Sequence, residues 1–82
     1  MKEIHVIQVR SESGGSIEKG FLCMLPCIVD GNVIANYRST KFVREAIRFK
    51  TFEETKAIIE DFYTARIYAS LIFTVRYYFV KE

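Results

Sequence analysis

His5, Cys23 and Cys27 are the residues of this chain whose types bear most directly on metal binding or nucleophilic catalysis. A structural zinc site takes four ligands, commonly supplied as closely spaced cysteine pairs. Here Cys23 and Cys27 form a single C-x3-C pair with Pro26 inside it, there is no second pair, and His5 is the one histidine. This set predicts no metal. Nucleophilic catalysis needs a nucleophile beside a base that a third group orients. His5 falls in an N-terminal strand pattern, and neither cysteine carries a local signature. General acid–base chemistry would need carboxylates gathered in a cleft, whereas Glu53, Glu54, Glu60 and Asp61 fall on the polar side of a helix pattern. Gly14-Gly15 reads as a turn and not as a phosphate-binding loop. The residues predict neither an enzyme nor a cofactor.

The basic residues point elsewhere. Residues 38–50 carry Arg38, Lys41, Arg44, Arg48 and Lys50 against Glu45 alone, a local net of +4. Residues 53–61 carry four acids against Lys56, a local net of −3. In an extended chain Arg44 and Arg48 share a face, as do Arg76 and Tyr78 on the last strand. If those strands are neighbours, arginine and tyrosine mix on one open sheet. Single-stranded nucleic acid is held by such a surface through backbone charge and base stacking. A protein surface is held equally well, since Arg and Tyr dominate protein hot spots. The total net charge of +2 is small for a general polyanion binder and no RNA-recognition signature is present, which favours a protein partner.

Eighty-two residues, half of them hydrophobic and 15 % aromatic, predict one packed domain over 1–82. Apolar runs fall far short of the about 20 residues a membrane span needs. The Met-Lys-Glu-Ile-His start shows no charged leader followed by an apolar segment, so a cytoplasmic placement without membrane contact is expected.

The elements that must position these residues follow from periodicity. Residues 4–10 alternate as a strand, and 11–16 read as a polar loop. A second strand is expected over about 17–29, ending at an edge or bulge because Pro26 has no N–H. Were Cys23 and Cys27 on one strand, they would lie about 13 Å apart at ~3.3 Å per residue, beyond the about 7 Å a disulfide tolerates. Asp30-Gly31 signals a hairpin, returning over about 33–38, with 39–41 as a turn. Residues 44–49 alternate as a further strand, although 40–46 also fits a short helix. Thr51-Phe52-Glu53-Glu54 is a capping box, and Phe52, Thr55, Ile58, Ile59, Phe62 and Ala65 form one stripe at helical spacing. The helix is expected to end at about 63–67.

Residues 69–80 then read as one long strand. Leu71, Phe73, Val75, Tyr77 and Phe79 point one way, and Ile72, Thr74, Arg76, Tyr78 and Val80 the other. The expected fold is α+β: a mostly antiparallel sheet of four to five strands with one amphipathic helix on one face, in the order β-β-β-(β)-α-β. One helix covers one face, so the other is expected to meet a second chain unless loops fold back over it. Leu22, Met24 and Ile28, or else Phe21, Leu25 and Val29, fall on that face with one side of the final strand, and Leu22, Met24, Ile28, Ile72 and Val80 are taken as the candidate residues of that interface.

The stretch from Ala46 to Glu54 has the form A-x-x-F-x-[ST]-x-E-E and leads into an amphipathic helix and a final strand. Over residues 46–80 it resembles strand-to-helix junctions in small accessory proteins of bacteriophages and mobile elements. That resemblance implies a class that works by binding host machinery, inhibitors of antiviral nucleases included. Three functions stand as expectations: a non-catalytic module that binds a host protein through Arg44, Arg48, Arg76 and Tyr78; a nucleic-acid-binding domain using the same residues; and a self-assembling structural protein.

Overall fold

A computed structural model of the chain describes residues 1–13, 15–66, 68 and 70–81, with the backbone alone at residue 13. Strands β1 (Lys2–Ser13), β2 (Ser16–Met24), β3 (Cys27–Val29), β4 (Asn32–Ala35) and β5 (Arg38–Thr40) precede a 3-10 turn (Val43–Glu45). Helix α1 (Phe52–Ala65) and strand β6 (Leu71–Val80) complete the α+β chain. Four strands form an antiparallel sheet in the order β5-β2-β1-β6, and β3-β4 form a separate two-stranded ribbon. Among the described residues, no helix is long and apolar enough to cross a membrane.

Local chemistry explains the turns and caps. The polar loop expected over 11–16 is shorter: Ser11, Glu12 and Ser13 continue β1 and pair with Glu18, Ile17 and Ser16, so the β1–β2 loop has two residues. Gly15 takes φ +82°, which glycine adopts without a steric penalty; Gly14 lies outside the described residues. Asp30 and Gly31 both have positive φ between the paired Val29 and Asn32, the backbone of a two-residue hairpin loop that matches strand twist. At the helix start Thr51 Oγ1 accepts from Glu54 N at 3.2 Å. The Glu54 carboxylate reaches one residue further back than expected, to Lys50 N at 3.1 Å. The helix ends at Arg66 in the left-handed conformation, its N–H donating to Tyr63 O.

The two long central runs are each broken, which corrects the expected strand boundaries. The run expected over 17–29 divides at Leu25-Pro26 into β2 and β3. Cys23 and Cys27 thus lie on different strands, both as free thiols. The return expected over 33–38 divides at Asn36-Tyr37, and residues 38–40, expected in part as a turn, form β5. Tyr37 is drawn toward the core by Tyr68, with ring centroids 5.1 Å apart, while Asn36 Oδ1 accepts from Tyr68 Oη at 2.7 Å. Gly20 suits the close β2–β5 approach: a Cβ there would meet Ser39 Cβ and Thr40 O at a tight 3.3 Å.

Residues 44–49 are not a strand. Val43–Glu45 is a 3-10 turn closed by Glu45 N to Phe42 O and Ala46 N to Val43 O. Its three-residue period sets Val43 and Ala46 on one side, where they cover Ile4 and Val6. The chain then runs beside β1 in the place β2 has vacated. Ile47 N donates to Leu22 O at 2.9 Å, and Phe49 exchanges two backbone bonds with His5, at 3.1 and 2.8 Å.

The core lies between sheet and helix. Ile7, Val9, Leu22 and Phe73 pack against Ile59 and Phe62 of α1. Of the predicted helical stripe, Thr55, Ile59 and Phe62 are buried, while Phe52 at the first turn is exposed. Thr55 satisfies its hydroxyl by donating to Phe52 O at 2.6 Å. The opposite sheet face has a smaller cluster of Ile4, Val6 and Ala46, with Phe21, Val43 and Val80 against it. Part of the face expected to need a second chain is therefore covered from within, by the segment that follows β5.

Candidate interaction surface

The uncovered remainder of that face is built on β6 and its neighbours. The β1–β6 ladder runs unbroken from Lys2 opposite Val80 to Ser11 opposite Leu71. Alternation along this ladder sets Ile72, Thr74, Arg76, Tyr78 and Val80 on the side away from α1. Gln8 and Phe21, opposite one another on β1 and β2, share that side. Arg76 Nε donates to Gln8 Oε1 at 3.0 Å. The Tyr78 ring meets Phe21 nearly edge-on, with centroids 6.3 Å apart. A shallow depression lined by Gln8, Val75, Arg76, Tyr77 and Tyr78 opens beside them. An arginine held by one neighbour and a tyrosine held by another have less side-chain freedom to lose in any further contact.

Arg44 and Arg48 are placed differently from the expectation. Both are exposed, but they lie on the segment across β1 from β6 and not on a strand adjoining it. The Arg44 guanidinium sits 5.4 Å from the Phe42 ring centre. These two residues flank the Arg76–Tyr78 surface and do not mix with it, because residues 42–46 turn and residues 47–49 replace β2 beside β1.

The five candidate interface residues do not share one face. Leu22 is fully buried beneath α1 and has no surface left for a partner. Ile28 is half-buried against the same core. Met24 is exposed at the end of β2. Ile72 is exposed and Val80 half-buried on the side away from α1. The break at Pro26 and the shift in β2–β5 pairing between Leu22 and Met24 end the simple alternation that had grouped the first three. Phe21, named with Leu25 and Val29 as the alternative set for that face, is the one that belongs to this surface; Gln8 was missed, since only the register between β1, β2 and β6 brings it to Arg76 and Tyr78.

His5 is largely buried, its Nε2 3.8 Å from Glu3 Oε1 and its ring 6.4 Å from Tyr77. Its Nδ1 is buried, with no hydrogen-bond partner among the described residues. Among the described residues, no three of His, Cys, Asp and Glu converge into a metal site. Comparison with protein-family models, with curated proteins and with solved structures gave no match.

Proposed function

We propose that this chain is a small non-catalytic protein-binding module that docks a partner on the sheet face away from α1. Arg76, Tyr78, Phe21 and Ile72 form the centre, and Arg44 and Arg48 supply positive charge at its edge. The observation that carries this reading is the pre-organised pair on that face: Arg76 tethered to Gln8 and Tyr78 seated against Phe21. Arg and Tyr are the side chains on which protein interfaces concentrate their energy, and the flanking cations favour an acidic partner surface.

The junction over residues 46–80, with its resemblance to accessory proteins of bacteriophages, supports a host protein met in the cytoplasm as the partner class, an antiviral nuclease among the candidates. The module would act by occluding that protein's surface.

The test is affinity capture from bacterial lysate by the wild-type chain and by an Arg44→Glu/Arg48→Glu/Arg76→Glu variant of unchanged circular dichroism. A protein retained by the first and lost by the second supports the site. Equal retention by the folded variant removes it. In parallel, labelled oligonucleotides are titrated at low salt. Binding that weakens steeply as salt rises would transfer the same surface to single-stranded nucleic acid.

A further inference from the structure

The outer edge of β6 carries an inference separate from the face. Among the described residues no strand pairs with it, and the ladder on its inner side fixes which backbone groups are left over. His5 gives its N–H and C=O to Phe49, on the side of β1 away from β6. Backbone groups alternate sides along an antiparallel strand. The even residues of β1 therefore bond β6, and on β6 the even residues bond back. Phe73, Val75, Tyr77 and Phe79 consequently direct their N–H and C=O groups to the open edge.

That edge lacks the usual protections. Natural edge strands are shortened, bulged, or guarded by proline and charge. The opposite border of the sheet follows this rule, since β5 has three residues, begins at Arg38 and is followed by Lys41. β6 has ten residues, no proline, no glycine and no register shift. Its single charge, Arg76, is drawn inward over the sheet to Gln8. Tyr77 and Phe79 are each 62 % exposed.

We propose that β6 pairs antiparallel with β6 of a second copy about a two-fold axis at Val75. In such a pairing, residues opposite one another share a face, so only registers centred on a residue are allowed. Two of these overlap the strand most fully, centred on Val75 or on Arg76. The Arg76 register sets two guanidinium groups opposite each other at a non-hydrogen-bonded position, where side chains come closest, and like charges there are destabilising. The Val75 register avoids this. Val75 meets Val75, Phe73 meets Tyr77 and Leu71 meets Phe79 on one face; Arg76 meets Thr74 and Tyr78 meets Ile72 on the other. Val75–Val75 and both Phe73–Tyr77 pairs are then hydrogen-bonded pairs. The pairing joins two four-stranded sheets and closes, because each copy has one long open edge. It also sets the Arg76–Tyr78 surfaces of both copies on the same side.

The test is solution mass by light scattering across a wide range of chain concentration. The wild-type mass is expected to rise from monomer to dimer. Val75→Pro removes an outward N–H without touching the β1 ladder, as proline is tolerated on that side of an edge strand; it is expected to stay monomeric with unchanged circular dichroism. Thr74→Arg places a second cation against Arg76 of the other copy and is expected to weaken the dimer about three- to tenfold, whereas Thr74→Glu tightens it by a similar factor. A wild-type chain monomeric throughout overturns the proposal. So does a dimer that survives in folded Val75→Pro, or equal dimerisation of the two Thr74 variants. Should Val75→Pro not fold, the Thr74 pair decides. A wild-type chain that stays monomeric while partner capture is intact would overturn this pairing and leave the proposed function standing.

Discussion

Phe21 and Tyr78 meet at 78° with ring centroids 6.3 Å apart, spanning from β2 to β6 with β1 between them. Phe21 also packs on the Ile4, Val6 and Ala46 cluster, so the pair ties the open surface to the smaller core. Edge-to-face aromatic pairs contribute about 0.5–1.5 kcal/mol beyond their burial. A double-mutant cycle with Phe21→Leu and Tyr78→Leu, read by urea unfolding at one low chain concentration, is expected to give a coupling energy in that range. A coupling near zero would mean that the rings are neighbours without mutual stabilisation, and Tyr78 would not be pre-organised.

Leu22 and Met24 separate core from surface on one strand. Leu22 is fully buried beneath α1, whereas Met24 is 44 % exposed. Leu22→Ala is expected to cost about 2–5 kcal/mol through lost burial and the cavity left behind. Met24→Ala should stay within about 0.5 kcal/mol of wild type. Denaturant midpoints of the two variants check the assignment; similar small losses would return Leu22 to the surface.

Thr51 caps α1 through Oγ1 to the Glu54 amide. Thr51→Ala is expected to lower stability by about 0.5–2 kcal/mol, and Thr51→Ser to recover most of it. The urea midpoint should fall with the slope unchanged, since a cap alters stability and not the surface exposed on unfolding.

Burial, and secondarily the neighbouring Tyr68 phenol, raises the Tyr37 phenol above its ordinary value of 10.0. The folded state thus holds the proton more tightly than the unfolded chain does. The resulting stability is fully present below pH 10.0, the unfolded value, and is lost as pH rises through the higher folded one. Unfolding midpoints measured from about pH 8 to about pH 11 should decline at the upper end. Tyr37→Phe should decline less steeply over that window, and an identical slope would remove Tyr37 as a cause.

Local features of this fold were legible where the physics is local. The capping box at Thr51 rests on a side chain bonding an amide three residues on. Asp30-Gly31 rests on two residues taking positive φ. The stripe from Thr55 to Phe62 and the alternation in β1 and β6 rest on periods that hold within a single element. Residues 44–49 failed as a strand, and the alternative of a short helix within 40–46 held, because a 3-10 turn sets Val43 and Ala46, which alternation puts on opposite faces, together on Ile4 and Val6. The shortage of covering elements was half right for the same reason: a connecting segment did the work of a second layer.

The sequence by itself determined the helix, the Asp30-Gly31 hairpin, the long final strand and the presence of Arg76 and Tyr78 on one side of it. Tertiary structure alone decided that Phe21 and Gln8 join them, that Arg44 and Arg48 stand across β1, that Leu22 is core, and that β6 borders the sheet with one edge open. Torsional preference and capping act over a few residues and are written in the order of the chain. Register and strand order are settled by which distant surfaces exclude water together, a competition that no single segment carries in its own pattern.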